Sequence, residues 1–185
     1  LVAYVLTDPT DEPSASTARA YLERGLLGED FELYADGCLG GAKSAPEALE
    51  HLLASARGEP LEALPQLLAL PPQRQRACVV FCSAATELQD LLTLNRALSA
   101  PPVFVMSFPE HQAPPTKSAL ERLLFKSEVE GLWAREAQWA GGLSAAQLVE
   151  RYHALRAEGA RVVIMSQPEG REVSEFELHK MAESA

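Results

Sequence analysis

The chain has 185 residues, 47% of them hydrophobic, which is enough apolar side chain for one domain of ordinary size with a single core. Lysine and arginine number 16 against 26 acidic residues, and the net charge of −10 argues against nucleic acid or an anionic lipid surface as a partner. The sequence contains no run of about 18 apolar residues, so we predict no transmembrane helix.

The first strands and helix follow from hydrophobic patterning near the start of the chain. An apolar run over residues 1–6 indicates a buried strand, and the next helix begins at Ser14 or Ser16 and ends near residue 24. Residues 31–36 alternate apolar and polar side chains. This alternation predicts an edge strand with one side in solvent.

A second helix follows a glycine-rich loop. Ser44 and Glu47 form a capping box, S-x-x-E, for a helix over 45–57. The leucine-rich stretch over 60–70 is interrupted by Pro65, so we interpret it as a short helical connector.

The centre of the chain predicts a strand, a helix and a second strand. Residues 77–81 and 102–106 are short apolar runs, and the leucines between them recur at helical spacing. Two strands that are apolar on both faces, joined by an amphipathic helix, are typical of a βαβ unit in a parallel sheet.

A long insertion, over about 109–159, separates the fourth and fifth predicted strands. It exceeds what one crossover helix needs, and we expect a helical lobe there. The fifth strand covers 161–165, and Val173, Ser174 and Glu177 predict a hydrophobic staple and a capping box for a C-terminal helix.

Five strands, each followed by a helix, predict a three-layer α/β domain with a mainly parallel sheet of the Rossmann or flavodoxin-like kind. The simplest strand order is 2-1-3-4-5, with the alternating strand at one edge. The sequence offers no domain boundary, so we expect residues 1–185 to form a single domain that carries the helical insertion.

In such a sheet ligands bind beyond the carboxyl ends of the strands, near the point where the strand order reverses. That crevice is expected between the first and third strands. Loops after the first, third and fourth strands supply its candidate ligand-binding residues: Asp8, Asp11, Ser83, Thr86 and Ser107. Serine and threonine at strand ends also bond the backbone in ordinary turns, and that interpretation is the more frequent one.

The segment GCLGGAKS, from Gly37 to Ser44, matches the spacing of a phosphate-binding loop, G-x-x-x-x-G-K-[ST], except that Ala42 replaces the second glycine. In that role backbone amides would hold phosphate, Lys43 would contact it and Ser44 would bind magnesium. The missing glycine, the edge strand before the loop and the capping role of Ser44 favour a structural loop instead.

Cys82 is a weak catalytic candidate, with Ser83 and His111 beside it in the proposed crevice. A thiol between a strand and a helix can have a lowered pKa and act as a nucleophile. The following loop lacks the arginine of a phosphatase-type site, and cysteine is more often a small core hydrophobe. We predict no metal site, because no metal-ligand spacing links the four histidines: His51, His111, His153 and His179.

The cysteines favour a reducing compartment. Cys78 and Cys82 fall four residues apart on one predicted strand, about 13 Å from each other, which is too far for a disulfide bond. The third cysteine, Cys38, leaves an odd number. We therefore expect an intracellular reducing location, either the cytoplasm or the matrix or stroma of an organelle.

Two family resemblances rest on the strand ends. Asp8 and Asp11 resemble the acidic residues of a receiver domain, but the third strand ends in Cys82 and has no phosphoacceptor aspartate, so phosphorelay is not expected. The first ninety residues are loosely similar to DsrE-like sulfur-relay proteins, in a Thr-Ala-Arg-Ala helix over 17–20 and a later strand that ends in cysteine. The helical insertion departs from that small fold, and we assign the chain to neither family.

Two functions stay open at this stage. The first is a binding or assembly module, a non-catalytic subunit or adaptor that docks a protein partner through its helical insertion. Large apolar residues of the insertion are the interface candidates: Phe125, Leu132, Trp133 and Trp139. The alternative is a small-molecule enzyme, or a protein that binds a sulfur, acyl or nucleotide ligand in the strand-end crevice. The sequence identifies no cofactor, and it favours the first function because that function requires no catalytic set.

Overall fold

The computed structural model describes residues 1–7, 12–55, 58–109, 145–167 and 170–183. Its strands form one sheet in the order β2-β1-β3-β4-β5-β6. The first five strands are parallel to one another, and β6 is antiparallel to β5. The strands are β1 (Val2–Val5), β2 (Glu32–Ala35), β3 (Cys78–Ser83), β4 (Val103–Pro109), β5 (Arg161–Gln167) and β6 (Arg171–Val173).

The helices of the described part lie between and after these strands. None of them is both long enough and apolar enough to cross a membrane. They are α1 (Glu12–Glu23), α2 (Ala45–Ser55), α3 (Leu64–Leu68), α4 (Pro72–Gln75), α5 (Leu88–Ala97), α6 (Ala145–Ala157) and α7 (Glu175–Glu183).

The structure confirms a mainly parallel α/β sheet, and the first five strands follow the predicted order 2-1-3-4-5. The prediction of five strands was wrong by one, because Arg171–Val173 returns along β5, with Val173 opposite Ile164. Three residues are too few for an alternating pattern to be recognised. Of the predicted insertion, the described residues beyond the end of β4 form α6, and 110–144 lie outside the described residues.

The sheet separates two groups of buried side chains. Residues of α1 and α2 pack on one face, over Val5, Phe81 and Val105, with the ring of Tyr21 edge-on to Phe81 at 5.1 Å. Residues of α3, α5, α6 and α7 pack on the other face, over Tyr4 and alternate residues of β3, β4 and β5. Each fully buried large apolar side chain contributes about 1.5–3 kcal/mol, so both layers are needed for stability.

The edge strand β2 differs from its prediction, because all four of its residues are buried. The chain after β2 folds back, and Ala42 exchanges two backbone hydrogen bonds of 2.8 Å with Leu33. Arg74 approaches the buried carboxylate of Glu32 to 2.8 Å, and Lys43 approaches it to 3.7 Å. The side expected in solvent is therefore covered, and part of the sheet edge is closed.

Candidate functional site

The carboxyl ends of the strands lie along one edge of the sheet, as the predicted crevice requires. Ser83 at the end of β3 is in register with Ser107 of β4, and Ser166 lies near the end of β5. Three of the candidate lining residues are described here: Ser83, Thr86 and Ser107. The other candidates at this edge, Asp8, Asp11 and His111, lie outside the described residues.

Cys82 and Ser83 do not share a surface. The Cys82 side chain is fully buried in the same core group as Met106, and its Sγ lies 3.8 Å from the carbonyl oxygen of Val105. Successive residues of a strand point to opposite faces, so Ser83 lies on the α1 side of the sheet. A buried thiol on the opposite face is poorly placed to attack a ligand beside Ser83.

The other two thiols are also in surroundings that oppose ionisation. Burial raises the pKa of Cys78 to about 12. Burial likewise raises the pKa of Cys38, and the carboxylates of Glu62 and Asp36 raise it further. None of the three cysteines forms a disulfide bond.

The hydroxyls of Ser83 and Thr86 take part in a tight turn. The Ser83 Oγ accepts from the Ala85 amide at 3.1 Å, and the Thr86 Oγ1 accepts from the Ser83 amide at 3.2 Å. Arg151 of α6 donates to the carbonyl oxygen of Ala84 at 2.9 Å and to that of Thr86. These contacts give the two candidate residues a structural role at the edge.

Ser107 faces the first helix. Its Oγ lies 2.6 Å from the Oγ1 of Thr17, and both residues are buried. Two further buried hydroxyls, of Ser14 and Ser166, have no hydrogen-bond partner among the described residues. A buried hydroxyl without a partner costs about 1–3 kcal/mol, so Ser14 of α1 and Ser166 of β5 are two positions where a further hydrogen-bond partner would be stabilising.

Asp36, directly after β2, accepts four hydrogen bonds at this edge. Its Oδ1 accepts from the Tyr4 hydroxyl at 2.6 Å and from the Ala63 amide at 3.0 Å. Its Oδ2 accepts from the amides of Thr7 at 2.9 Å and Leu61 at 3.3 Å. Leu61 has a φ of 65°, so the carboxylate helps to hold a backbone conformation that leucine rarely adopts.

Burial raises the pKa of Asp36 above its ordinary value, although the hydrogen bonds from Ala63, Tyr4 and Thr7 oppose that shift. Sequence analysis did not select this residue as important. An aspartate before glycine at a strand end is ordinary turn chemistry, and its four partners come from separate parts of the chain.

The amides of the phosphate-loop candidate are bonded to side chains of this protein. The Gly37 amide donates to Glu62 Oε2 at 3.0 Å, and the Gly40 amide donates to Gln66 Oε1 at 2.6 Å. Gly37 has a φ of +77°, and a Cβ there would lie 3.0 Å from the backbone of Gly58. A turn and a close backbone approach thus explain the glycine without a phosphate.

The rest of this loop also contacts side chains of this protein. Lys43 lies against the carboxylate of Glu32, and its amide donates to Glu47 at 3.0 Å. Hydrogen bonds from Lys43 and Ser44 lower the pKa of Glu47, as expected for a capping box. A phosphate would have to displace these carboxylates, so the geometry differs from that of a phosphate-binding loop.

Three titratable side chains, which the sequence does not link to one another, lie close together at α6 and α7. One ligand atom each from His153, Glu175 and His179 lies within 4.8 Å of the others. Sequence analysis missed this group because His153 belongs to a different helix from the other two. The signal it could have used is the spacing of Glu175 and His179, which are one helical turn apart.

A cleft of about 190 Å³ adjoins this group of residues. Its walls include Tyr152, Arg156, Glu172 and Glu175, and its floor includes Ile164 and Leu178. The Tyr152 hydroxyl donates to Glu175 Oε2 at 3.1 Å, and Arg156 donates to the same hydroxyl at 3.1 Å. The cleft therefore combines an apolar base with charges of both signs.

The interface candidates of the insertion, Phe125, Leu132, Trp133 and Trp139, lie outside the described residues. Within the described part, the three most exposed large apolar side chains lie at separate places. Leu39 of the loop after β2 is 94% exposed, Leu53 of α2 is 79% exposed and Phe176 of α7 is 78% exposed.

No family model matches this chain, and neither the curated proteins nor the solved structures contain a match to it.

Proposed function

We propose that this chain is a Rossmann-like binding or assembly module, a non-catalytic subunit or adaptor that docks a protein partner through its helical insertion. The observation that carries the proposal is the structural use of the polar groups at the carboxyl edge of the sheet. This is the edge where a ligand would be expected in a sheet of this order.

Three groups of contacts support this interpretation. Both oxygens of Asp36 hold backbone amides. The Ser83 and Thr86 side chains shape their own turn, and Arg151 bonds that turn from outside. Groups that support the fold in this way are poorly suited to a catalytic role. Breaking one of these contacts to engage a substrate would leave a buried polar atom without a hydrogen-bond partner.

The amino-acid composition of the insertion indicates which segment docks the partner. Phe125, Leu132, Trp133 and Trp139 concentrate large apolar side chains within one short part of the insertion. Aromatic side chains are enriched at protein interfaces. The net charge of −10 supports a protein partner over nucleic acid. Three cysteines that form no disulfide bond support a reducing compartment, such as the cytoplasm or an organelle matrix or stroma.

The test is the native mass of the protein as isolated from its source, measured by light scattering after gentle chromatography. We expect a stoichiometric assembly well above the 20.1 kDa of the free chain. Replacing Trp133 and Trp139 together by alanine should release the free chain. Phe176→Ala is the matched control, because it removes an exposed aromatic side chain of α7 and should leave the assembly intact. An assembly that survives the double substitution would contradict docking through the insertion.

The same measurement of native mass distinguishes the assembly module from the alternative function, a small-molecule enzyme or carrier that uses the strand-end crevice. Its support is the pair of buried hydroxyls, of Ser14 and Ser166, for which the described residues provide no hydrogen-bond partner. A free 20.1 kDa species from the source would overturn the assembly proposal. A thermal-shift screen with nucleotides, acyl carriers and thiols would then test the crevice.

A further inference from the structure

We propose that His153, Glu175 and His179 bind a divalent transition-metal ion, for which Zn²⁺ is the best match. The proposal concerns the surface of α6 and α7 and is independent of the docking function. It begins from the one group of metal-ligating side chains that the described residues bring together.

The arrangement of the three side chains is close to what a tetrahedral ion needs. Their nearest ligand atoms lie within 4.8 Å of one another, and the two imidazole rings are 5.3 Å apart between centroids and tilted by 39°. Bonds of about 2.0–2.2 Å to Zn²⁺ place ligand atoms about 3.4 Å apart. Rotations about side-chain bonds that move each atom by about 1 Å are sufficient, because these side chains are accessible to solvent.

The two helices that carry the ligands are firmly packed. Leu155 of α6 and Leu178 of α7 are buried in the same core group beneath the site. The Tyr152 hydroxyl holds one oxygen of the Glu175 carboxylate, which leaves the other oxygen available to a metal. A hydrogen bond to a ligating carboxylate is the usual way in which a protein orients such a ligand.

The chemical types of the three ligands indicate which metal ions the site would bind. Two imidazole nitrogens and one carboxylate suit Zn²⁺, Co²⁺, Ni²⁺ or Cu²⁺, whereas Mg²⁺ and Ca²⁺ prefer sites made of oxygen atoms. Three protein ligands leave a fourth position for water or another ligand. The net charge of −10 favours a cation. Arg156, bonded to the Tyr152 hydroxyl, is a nearby positive charge that weakens this attraction.

The first experiment titrates the metal-free full chain with Zn²⁺ by isothermal calorimetry. We expect one ion per chain, and at least a tenfold loss of affinity on each of His153→Ala, Glu175→Gln and His179→Ala. Tyr152→Phe keeps the ring but removes the orienting hydroxyl, so it should weaken binding by about tenfold. Glu50→Gln and His51→Asn, both on α2, are the matched controls for a carboxylate and a histidine elsewhere, and they should leave the affinity unchanged.

A second variant tests direct ligation. His179→Cys replaces an imidazole by a thiolate, which also binds Zn²⁺ and Co²⁺. With Co²⁺ as the probe, a thiolate-to-metal charge-transfer band should appear in this variant and be absent from the wild-type protein, whose cysteines lie elsewhere. The proposal is overturned if the wild-type chain binds no Zn²⁺, if the three substitutions weaken binding no more than the controls do, or if His179→Cys adds no such band.

Discussion

At the scale of single residues, Asp36 is the side chain on which the edge of the sheet depends most. Each carboxylate oxygen accepts two hydrogen bonds, and at least one donor at each oxygen is a backbone amide. In Asp36→Asn the new NH₂ group must face a backbone amide whichever way it is oriented. We expect the substitution to lower the free energy of unfolding by about 2–4 kcal/mol, because buried amides lose their acceptor.

Tyr4→Phe is the matched variant for this prediction, since it removes one donor to Asp36 and keeps the aromatic ring in the core. Its expected loss is about 1–2 kcal/mol, because the Oδ1 that loses the hydroxyl still accepts from Ala63. Urea denaturation followed by circular dichroism gives both values. If Asp36→Asn costs no more than Tyr4→Phe, the backbone amides do not depend on this carboxylate.

The candidate site could be predicted from the sequence only where neighbours in the chain decide the outcome. The structural interpretation of the loop after β2 followed from the missing glycine at Ala42 and from the cap at Ser44. The group around His153 could not be predicted, because its members meet through the packing of two helices. The four hydrogen-bond donors to Asp36 could not be predicted either, because they come from separate parts of the chain.

At the scale of elements, the capping box of α7 makes stability depend on pH. The Ser174 amide and hydroxyl donate to Glu177 Oε2 at 2.9 and 2.8 Å, and Arg171 approaches Oε1 to 2.7 Å. Together they lower the pKa of Glu177 from 4.5 to about 2. A lowered carboxyl pKa gives stability that is present above pH 4.5 and is lost as the pH falls towards 2.

Glu177→Gln isolates this contribution, because glutamine can still complete a capping box without a charge. We expect the wild-type chain to be more stable than the variant above pH 4.5, and the difference to vanish by about pH 2. The measurement is the free energy of unfolding in urea across that range. A difference that does not change with pH would show that the charge of Glu177 does not support the cap.

The elements themselves were predictable to the extent that their patterns were local. The parallel strands, their order and both capping boxes at Ser44 and Ser174 follow from runs of apolar residues and short spacings. The strand β6 was missed because three residues carry no period. The solvent-facing side of β2 was predicted from alternation alone, whereas Arg74 and Lys43 cover it from distant positions.

At the scale of the whole molecule, the parallel sheet joins parts of the chain that are far apart in sequence, and α6 with the residue after it supplies two further links. Arg151 reaches the loop between β3 and α5, 65 and 67 residues earlier. Directly after α6, the carbonyl oxygen of Glu158 accepts from the side-chain amide of Asn95 at 3.2 Å. The position of the candidate edge is therefore set partly by a helix within the predicted insertion.

Arg151→Met tests that link, because methionine keeps much of the apolar stem and removes the guanidinium. Two carbonyl oxygens, of Ala84 and Thr86, then lose a charged donor. We expect the free energy of unfolding to fall by about 1–3 kcal/mol. Hydrogen exchange of the amides at 84–87 should also become faster, because the loop opens more readily than the sheet.

Two further variants make this prediction specific. Arg151→Lys retains a positive charge with three donors, so it should recover most of the lost stability. Glu150→Gln changes an exposed neighbour on the same helix and should alter stability by less than about 0.5 kcal/mol. If Arg151→Met behaves like Glu150→Gln in both measurements, α6 does not hold the loop. The geometry of Ser83 and Thr86 would then be a property of the turn alone, independent of α6.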